Sequence, residues 1–117
     1  MKSIATPFTG GVPAVFVHVN DIAKSVEWYC HLLGIDKPQN IRDDIHIFSL
    51  NNGANIFLKQ STASVKPSEQ VLFSLPAPDL DKTRAFFELS LIEYSDIDNE
   101  VIHFKDIDGN IIMACSI

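Results

Sequence analysis

The sequence predicts an α+β fold made of two copies of one strand–helix–strand module, and three observations predict it. The first is a strand that runs straight into a capped amphipathic helix, Val12 to Ile35 (VPAVFVHVNDIAKSVEWYCHLLGI). The second is the return of this design later in the chain, where VNDIAKSVEWY is echoed by APDLDKTRAFF. Asp21 matches Asp79, Ile22 matches Leu80, Lys24 matches Lys82, Ser25 matches Thr83, and Trp28-Tyr29 matches Phe86-Phe87. The offset, 79 − 21 = 58 residues, is half of the 117-residue chain, and repetition of this kind fixes architecture more firmly than propensity does. The third is that each helix is followed by short alternating runs separated by Asn, Asp and Gly, the pattern of hairpin strands.

Residues 1–11 read as a tail, broken by Pro7 and Gly10-Gly11. Val15, Val17 and Val19 alternate with Ala14, Phe16 and His18, the period-2 signature of a strand with two distinct faces. Asp21 ends the alternation and is suited to cap a helix, because its carboxylate can accept from free backbone N–H groups. Ile22, Val26, Tyr29 and Leu33 follow at helical spacing, and Gly34 supplies the residue that stops the helix. Residues 35–43 form a polar connection around Pro38, with room for one short strand before Ile45. Ile45–Leu50 and Ala54–Lys59 are then a hairpin around Asn51-Asn52-Gly53, since Asn and Gly tolerate positive φ.

The first module spans residues 12–60, a linker poor in apolar residues occupies 61–69, and the second module spans 70–117. Gln70 to Leu75 is a strand stopped by Pro76-Ala77-Pro78, and Asp79 caps the second helix, with Leu80, Phe87 and Leu91 along its stripe. Strands near 92–97, 100–105 and 111–115 complete the second module, the last two joined by Asp106-Ile107-Asp108-Gly109-Asn110. One helix per module covers one face of its sheet and leaves the other face for something else to cover.

Composition bounds the function. A chain with 46% hydrophobic and 21% charged residues is an ordinary globular protein, and its length suits a single domain with a real core. A net charge of −6 without clustered Lys or Arg argues against nucleic acid, and mildly favours neutral or cationic ligands. No apolar run approaches the roughly 20 residues of a membrane span, and the N-terminus lacks a signal-peptide core, so a cytoplasmic location is expected. Cys30 and Cys115 stand in no CxxC or Cys-His pattern and read as reduced, buried residues.

Three features together resemble the vicinal oxygen chelate superfamily, which includes glyoxalase I, bleomycin-resistance proteins, extradiol dioxygenases and fosfomycin-resistance enzymes. They are the strand leading into NDIAKSVEWYCHLLGI, the 58-residue repeat (79 − 21), and the ending FKDIDGNII, in which Ile107 stands where the family usually has proline. The resemblance covers almost all of residues 12–117. It implies two βαβββ modules whose curved mixed sheets enclose a cavity, completed in a homodimer. In metal-dependent members the cavity holds one divalent ion on four strands. Carried over singly, those four positions fall on Ala14, Phe57, Gln70 and Met113. Ala and Phe cannot bind a hard cation and a thioether binds one poorly, so only Gln70 remains competent and no metal or other cofactor is expected.

Phe16 and Phe57 alternate onto the face away from the helix, which suggests an aromatic-lined space that His18 continues along the first strand. His18 suits a ligand contact and a rim or dimer contact about equally. His46 and His103 occupy equivalent strands, and alternation leaves both of their faces open because register depends on turn type. The carboxylates gather in turns and helix starts, where capping accounts for them, and no serine, cysteine or carboxylate active site emerges. The expected ligand-binding set is therefore Ala14, Phe16, His18, Phe57, Gln70 and Met113, with no catalytic residue. The expected activity is binding, with sequestration, of a small aromatic or apolar molecule. A metal-dependent lyase, isomerase or transferase of the same superfamily is the enzymatic alternative, and a dimeric interaction or sensor module is another.

Overall fold

A computed structural model describes residues 5–9, 11–51 and 53–116; Gly10 of the tail and Asn52 of the expected hairpin turn lie outside them. The elements are β1 (Ala14–Val19), α1 (Ile22–Leu33), β2 (Ile45–Ser49), β3 (Asn55–Gln60), β4 (Val71–Pro76), α2 (Leu80–Leu89), β5 (Tyr94–Asp96), β6 (Val101–Lys105) and β7 (Ile111–Cys115). They form two mixed sheets, one of three strands in the order β1-β3-β2 and one of four in the order β4-β7-β6-β5. In each sheet the strand before the helix runs parallel to the last strand of its module, β1 to β3 and β4 to β7, and the hairpin pairs are antiparallel. The fold is α+β with the two modules expected.

The first module has three strands. The additional strand for which there was room before Ile45 does not form, because residues 36–44 (DKPQNIRDD) carry no alternation and Pro38 removes a ladder donor. The sheets also do not close on one another; β1 and β4, an edge strand of each, lie in contact without joining into one ladder.

Both helices begin as the repeat predicts. The side chains of Asp21 and Asp79 accept from the N–H of Lys24 (3.2 Å) and Lys82 (3.1 Å), and both caps are extended. Their ends differ. Gly34 closes α1 in the left-handed region at φ 67°, whereas α2 has no glycine there and Leu91 takes φ 57°, a conformation that costs a branched side chain about 1 kcal/mol or more.

The core lies between the helices and the inner sheet faces. Val17, Val19, Ile56 and Leu58 of the first sheet, Ile22, Val26 and Tyr29 of α1, Ile102, Phe104, Ile112 and Ala114 of the second sheet, and Leu80 and Phe87 of α2 all belong to one buried cluster, in which the Phe87 and Phe104 rings lie 4.6 Å apart. Each fully buried aliphatic or aromatic side chain contributes about 1.5–3 kcal/mol, so the buried stripe rather than intrinsic propensity holds these short helices. His31 ties the helices together: its ring stacks on Phe86 at 5.3 Å between centroids, and Nε2 lies 2.8 Å from Ser90 Oγ.

Polar side chains fix how the modules sit. Gln60 Oε1 accepts from the N–H of Ile22 at 2.8 Å, and its Nε2 donates to the Asn20 carbonyl at 2.8 Å. Asn20 reaches both ways, donating to Asp108 Oδ1 (2.9 Å) and accepting from the N–H of Val65 in the linker (2.7 Å). Ser68 and Asn110 exchange similar bonds: Asn110 Oδ1 accepts from the Ser68 N–H, and Ser68 Oγ accepts from the Ile111 N–H. Cys30 and Cys115 are both free, the first buried and the second half-buried.

Candidate functional site

Alternation along β1 sends Val17 and Val19 into the core and leaves Ala14, Phe16 and His18 on the opposite, open face. The register carries this face across the sheet in three rows. Phe16 lies beside Phe57, and Phe57 beside Ile47. Ala14, Asn55 and Ser49 make the row on one side, and His18, Lys59 and Ile45 the row on the other. The middle row is an apolar stripe in water. Phe16 is 58% exposed and Ile47 48%, and the Phe16 and Phe57 rings sit 4.9 Å apart at a tilt of 55°, within the range of favourable aromatic pairs.

In the second sheet the corresponding face carries Met113 between Ser74 of β4 and His103 of β6, with Ser95 of β5 beyond. Ser74 stands five residues before its helix cap, as Phe16 does in the first module, so the pair Ser74–Met113 is the counterpart of Phe16–Phe57. A depression of about 220 Å³ opens on this side, bordered by His103, Ser95, Ile97, Lys105 and Ile111. Lys105 is paired with Glu93 at 2.7 Å.

Four of the six expected residues, Ala14, Phe16, His18 and Phe57, thus share one face of one sheet. Met113 holds the matching position of the other sheet. Gln70 lies just ahead of β4 and is exposed; the residue 58 positions beyond Ala14 (14 + 58 = 72) is Leu72, 40% exposed beside the irregularity in β4 pairing. The two strand histidines point opposite ways. His103 shares the open face with Met113, whereas His46 lies beside the buried Leu58 and meets the Phe48 ring edge-on at 4.7 Å. Burial accordingly pushes the His46 imidazole below its usual range.

The sequence reading missed Ile47, Lys59, Ser74 and Ser95. Each needs the cross-strand register to be placed, and register is the one quantity that alternation alone leaves open. Lys59 also changes the local charge. Although the chain is acidic overall, the row beside the aromatic pair carries Lys59 and His18 and no carboxylate.

The metal of the resembled family does not fit these residues. Ala14, Phe57 and Leu72 have no donor atom, Met113 offers a thioether, and Gln70 stands outside the strand. Among the described residues no three His, Cys, Asp or Glu come together in a way that could hold an ion. Nor is any described helix long and apolar enough to cross a membrane.

No protein-family model and no curated protein matches the chain. Solved structures do. Protein ATC0852 from Agrobacterium tumefaciens superposes with a TM-score of 0.72 at 18% identity, covering 92% of this chain and 98% of that one. A possible glyoxalase from Bacillus cereus gives 0.72 at 11% identity over 90% and 97% of the two chains. The fosfomycin-resistance protein FosX from Listeria monocytogenes gives 0.69 at 12% identity over 93% and 91%, and a mutant of it has been solved in complex with Mn(II). At these identities the likeness is one of fold, and it runs nearly the full length of both partners. This chain has the vicinal oxygen chelate fold, the fold of glyoxalase-like and fosfomycin-resistance proteins.

Proposed function

We propose that this protein is a metal-independent member of the glyoxalase and bleomycin-resistance type that binds, and thereby sequesters, a small aromatic or apolar molecule on its open sheet face, as a homodimer. The observation that carries the reading is the Phe16–Phe57 pair, two rings 4.9 Å apart on the face turned away from the core. Leaving Phe16 58% exposed forgoes much of the roughly 1.5–3 kcal/mol that full burial of such a side chain contributes. A flat guest, or a second copy of the chain, recovers it.

The flanking rows supply orientation. Asn55 and Ser49 offer amide and hydroxyl groups on one side, and His18 and Lys59 offer basic groups on the other. No carboxylate stands in the three rows, and the one candidate general base there is His18, whose imidazole would have to lie within about 3 Å of a substrate proton to act. Stacking and one or two hydrogen bonds describe what this face can do. A metal-dependent lyase, isomerase or transferase needs oxygen or nitrogen donors that the side chains of Ala14, Phe57 and Met113 do not have.

The test is a thermal-shift screen of aromatic compounds against the protein and Phe57→Ala, with a parallel assay for hemithioacetal isomerisation with and without Ni²⁺ or Zn²⁺. The expected result is at least one compound that stabilises the protein and stabilises Phe57→Ala less, with no metal-stimulated turnover. Robust metal-stimulated turnover overturns the reading.

A further inference from the structure

The helical side of the molecule holds a second feature, remote in character from the open sheet face. Between the end of α1 and the start of α2 lies a cleft of about 270 Å³, walled by Leu32, Leu75, Pro76 and Phe86 and floored by the buried Phe87. Leu32, Leu75 and Pro76 are shared with an adjoining depression of about 410 Å³ that runs on past Leu33 to Leu50. The first space alone is just under the roughly 300–1,000 Å³ of small-molecule sites, and the two joined fall within that range. Its walls come from both modules, and the His31–Phe86 stack and the His31–Ser90 bond hold the helices apart at a fixed spacing. The cleft is therefore preformed.

Its polar end is a cation. Lys82, in the first turn of α2, borders the cleft and makes no ion pair among the described residues. The two nearest carboxylates in sequence are engaged elsewhere: Asp79 accepts from the Lys82 backbone N–H at 3.1 Å, and Asp81 is paired with Arg84 Nη1 at 2.9 Å. An exposed ammonium at the mouth of an apolar trough matches a carboxylate on a hydrocarbon tail, and it repels an ammonium on the same tail. From this juxtaposition we infer that the cleft is a binding site for a small amphipathic carboxylate, with its head at Lys82 and its tail along Leu32, Leu75 and Pro76 toward Leu50. The site is separate from the Phe16–Phe57 face and goes beyond the function proposed for it.

The experiment is an NMR titration of ¹⁵N-labelled protein with sodium octanoate below its micellar range, with 1-octanol and octylammonium chloride as the neutral and cationic counterparts. Octanoate is expected to shift the amides of Leu32, Lys82, Thr83 and Phe86, and to bind more tightly than either counterpart. Lys82→Ala, a change at an exposed position, is expected to weaken octanoate five- to tenfold while leaving 1-octanol within twofold. Phe57→Ala is expected to leave octanoate binding unchanged, which keeps this test independent of the sheet-face reading. Octanoate shifts that avoid the cleft, equal binding of octanoate and octylammonium, or undiminished octanoate binding by Lys82→Ala each overturn the inference.

Discussion

Tyr29 donates its phenolic hydrogen to Asp106 Oδ2 across 2.7 Å, in a buried bond between residues 77 positions apart. It ties the helix of the first module to the final turn of the second. Asp106 is 6% exposed, and its oxygens are fully used. Oδ1 accepts from the N–H groups of Asp108 and Asn110, both at 2.9 Å, and Oδ2 accepts also from Asn110 Nδ2 at 3.1 Å. The ending FKDIDGNII is therefore a joint between modules: its aspartate organises the turn and presents one oxygen to α1.

Tyr29→Phe removes one of the two bonds to Asp106 Oδ2 without changing the shape of the core. The expected cost is about 1.5–3 kcal/mol, the range for a bond to a charged or buried acceptor, read from the midpoint of urea unfolding. The same contact predicts an alkaline weakness. Burial first, and then the negative charge of Asp106, push the Tyr29 hydroxyl far above its ordinary range. The folded state thus holds the proton more tightly than the unfolded chain. That stability is fully present below the unfolded tyrosine value of about 10, and it is lost as pH rises beyond it. Tyr29→Phe should flatten this alkaline decline; an unchanged slope above pH 10 would assign the decline to other groups.

The joint also shows what was legible in the sequence. The repeat located both helix caps and the strand before each helix, and the Asp-Gly-Asn pattern located the turn at the end, because each is a local pattern with a local cause. The open-face positions of Phe16 and Phe57 followed from alternation. The ties between modules did not, since Tyr29 reads as one more apolar residue on a helical stripe and nothing near it announces an acceptor 77 residues away. The same holds for Ile47, Lys59 and Ser74, which reach the open face through register with neighbours. His46 and His103 differ in face for that reason too.

Gly109 is a second place where the joint is tight. It adopts φ +83°, and a Cβ built there would stand 3.1 Å from Pro67 Cβ in the linker, whereas Gly34, at φ +67°, faces open space. Alanine at position 34 should cost about 1 kcal/mol for the left-handed backbone alone. Alanine at 109 should cost more, about 2–3 kcal/mol, because Pro67 must also move. In a double-mutant cycle Pro67→Gly should recover part of the loss at 109 and none of the loss at 34. Equal costs at the two glycines would remove Pro67 from the account.

His46 predicts an acid-side weakness. Burial lowers its folded value, so the folded state gives up the proton more readily than the unfolded chain. The contribution is fully present above the unfolded histidine value of about 6.5 and is lost as pH falls through the folded one. Chemical-shift titration should find the His46 ring changing charge below about pH 6.5, and His46→Phe should flatten stability between that point and the range where carboxylates begin to protonate. A ring that titrates at or above the unfolded value would contradict its placement against Phe48 and Leu58.

The homodimer is tested by mass. The chain is 13.0 kDa, and Phe16, Ile47, Val71 and Leu72 leave apolar surface on or beside sheet edges, which a symmetry-related copy can cover. Light scattering should give twice the chain mass at micromolar concentration, and Phe16→Asp should shift the population toward monomer. A single-chain mass across a wide concentration range would sink the expectation.

Replacing the two rings of the open face and the histidine beside them, one at a time, separates their contributions to folding and binding. Phe16 is mostly in water and Phe57 is half-buried, so their replacement by alanine acts differently on folding and on binding. Phe57→Ala should lower stability, because its ring is flanked by Phe16 and Ile47 in one row, while Phe16→Ala should change stability by less than about 1 kcal/mol. Against an aromatic compound found by thermal shift, Phe57→Ala should weaken binding by about 0.5–1.5 kcal/mol for lost stacking, and more if the compound buries the ring completely. Phe16→Ala should fall in the same range, because the rings act as one surface. His18→Ala should cost less than either, since His18 borders the stripe from the next row. Calorimetric titration of the three variants with one compound decides the order. If His18→Ala costs most, recognition runs through the basic row and not through the aromatic pair.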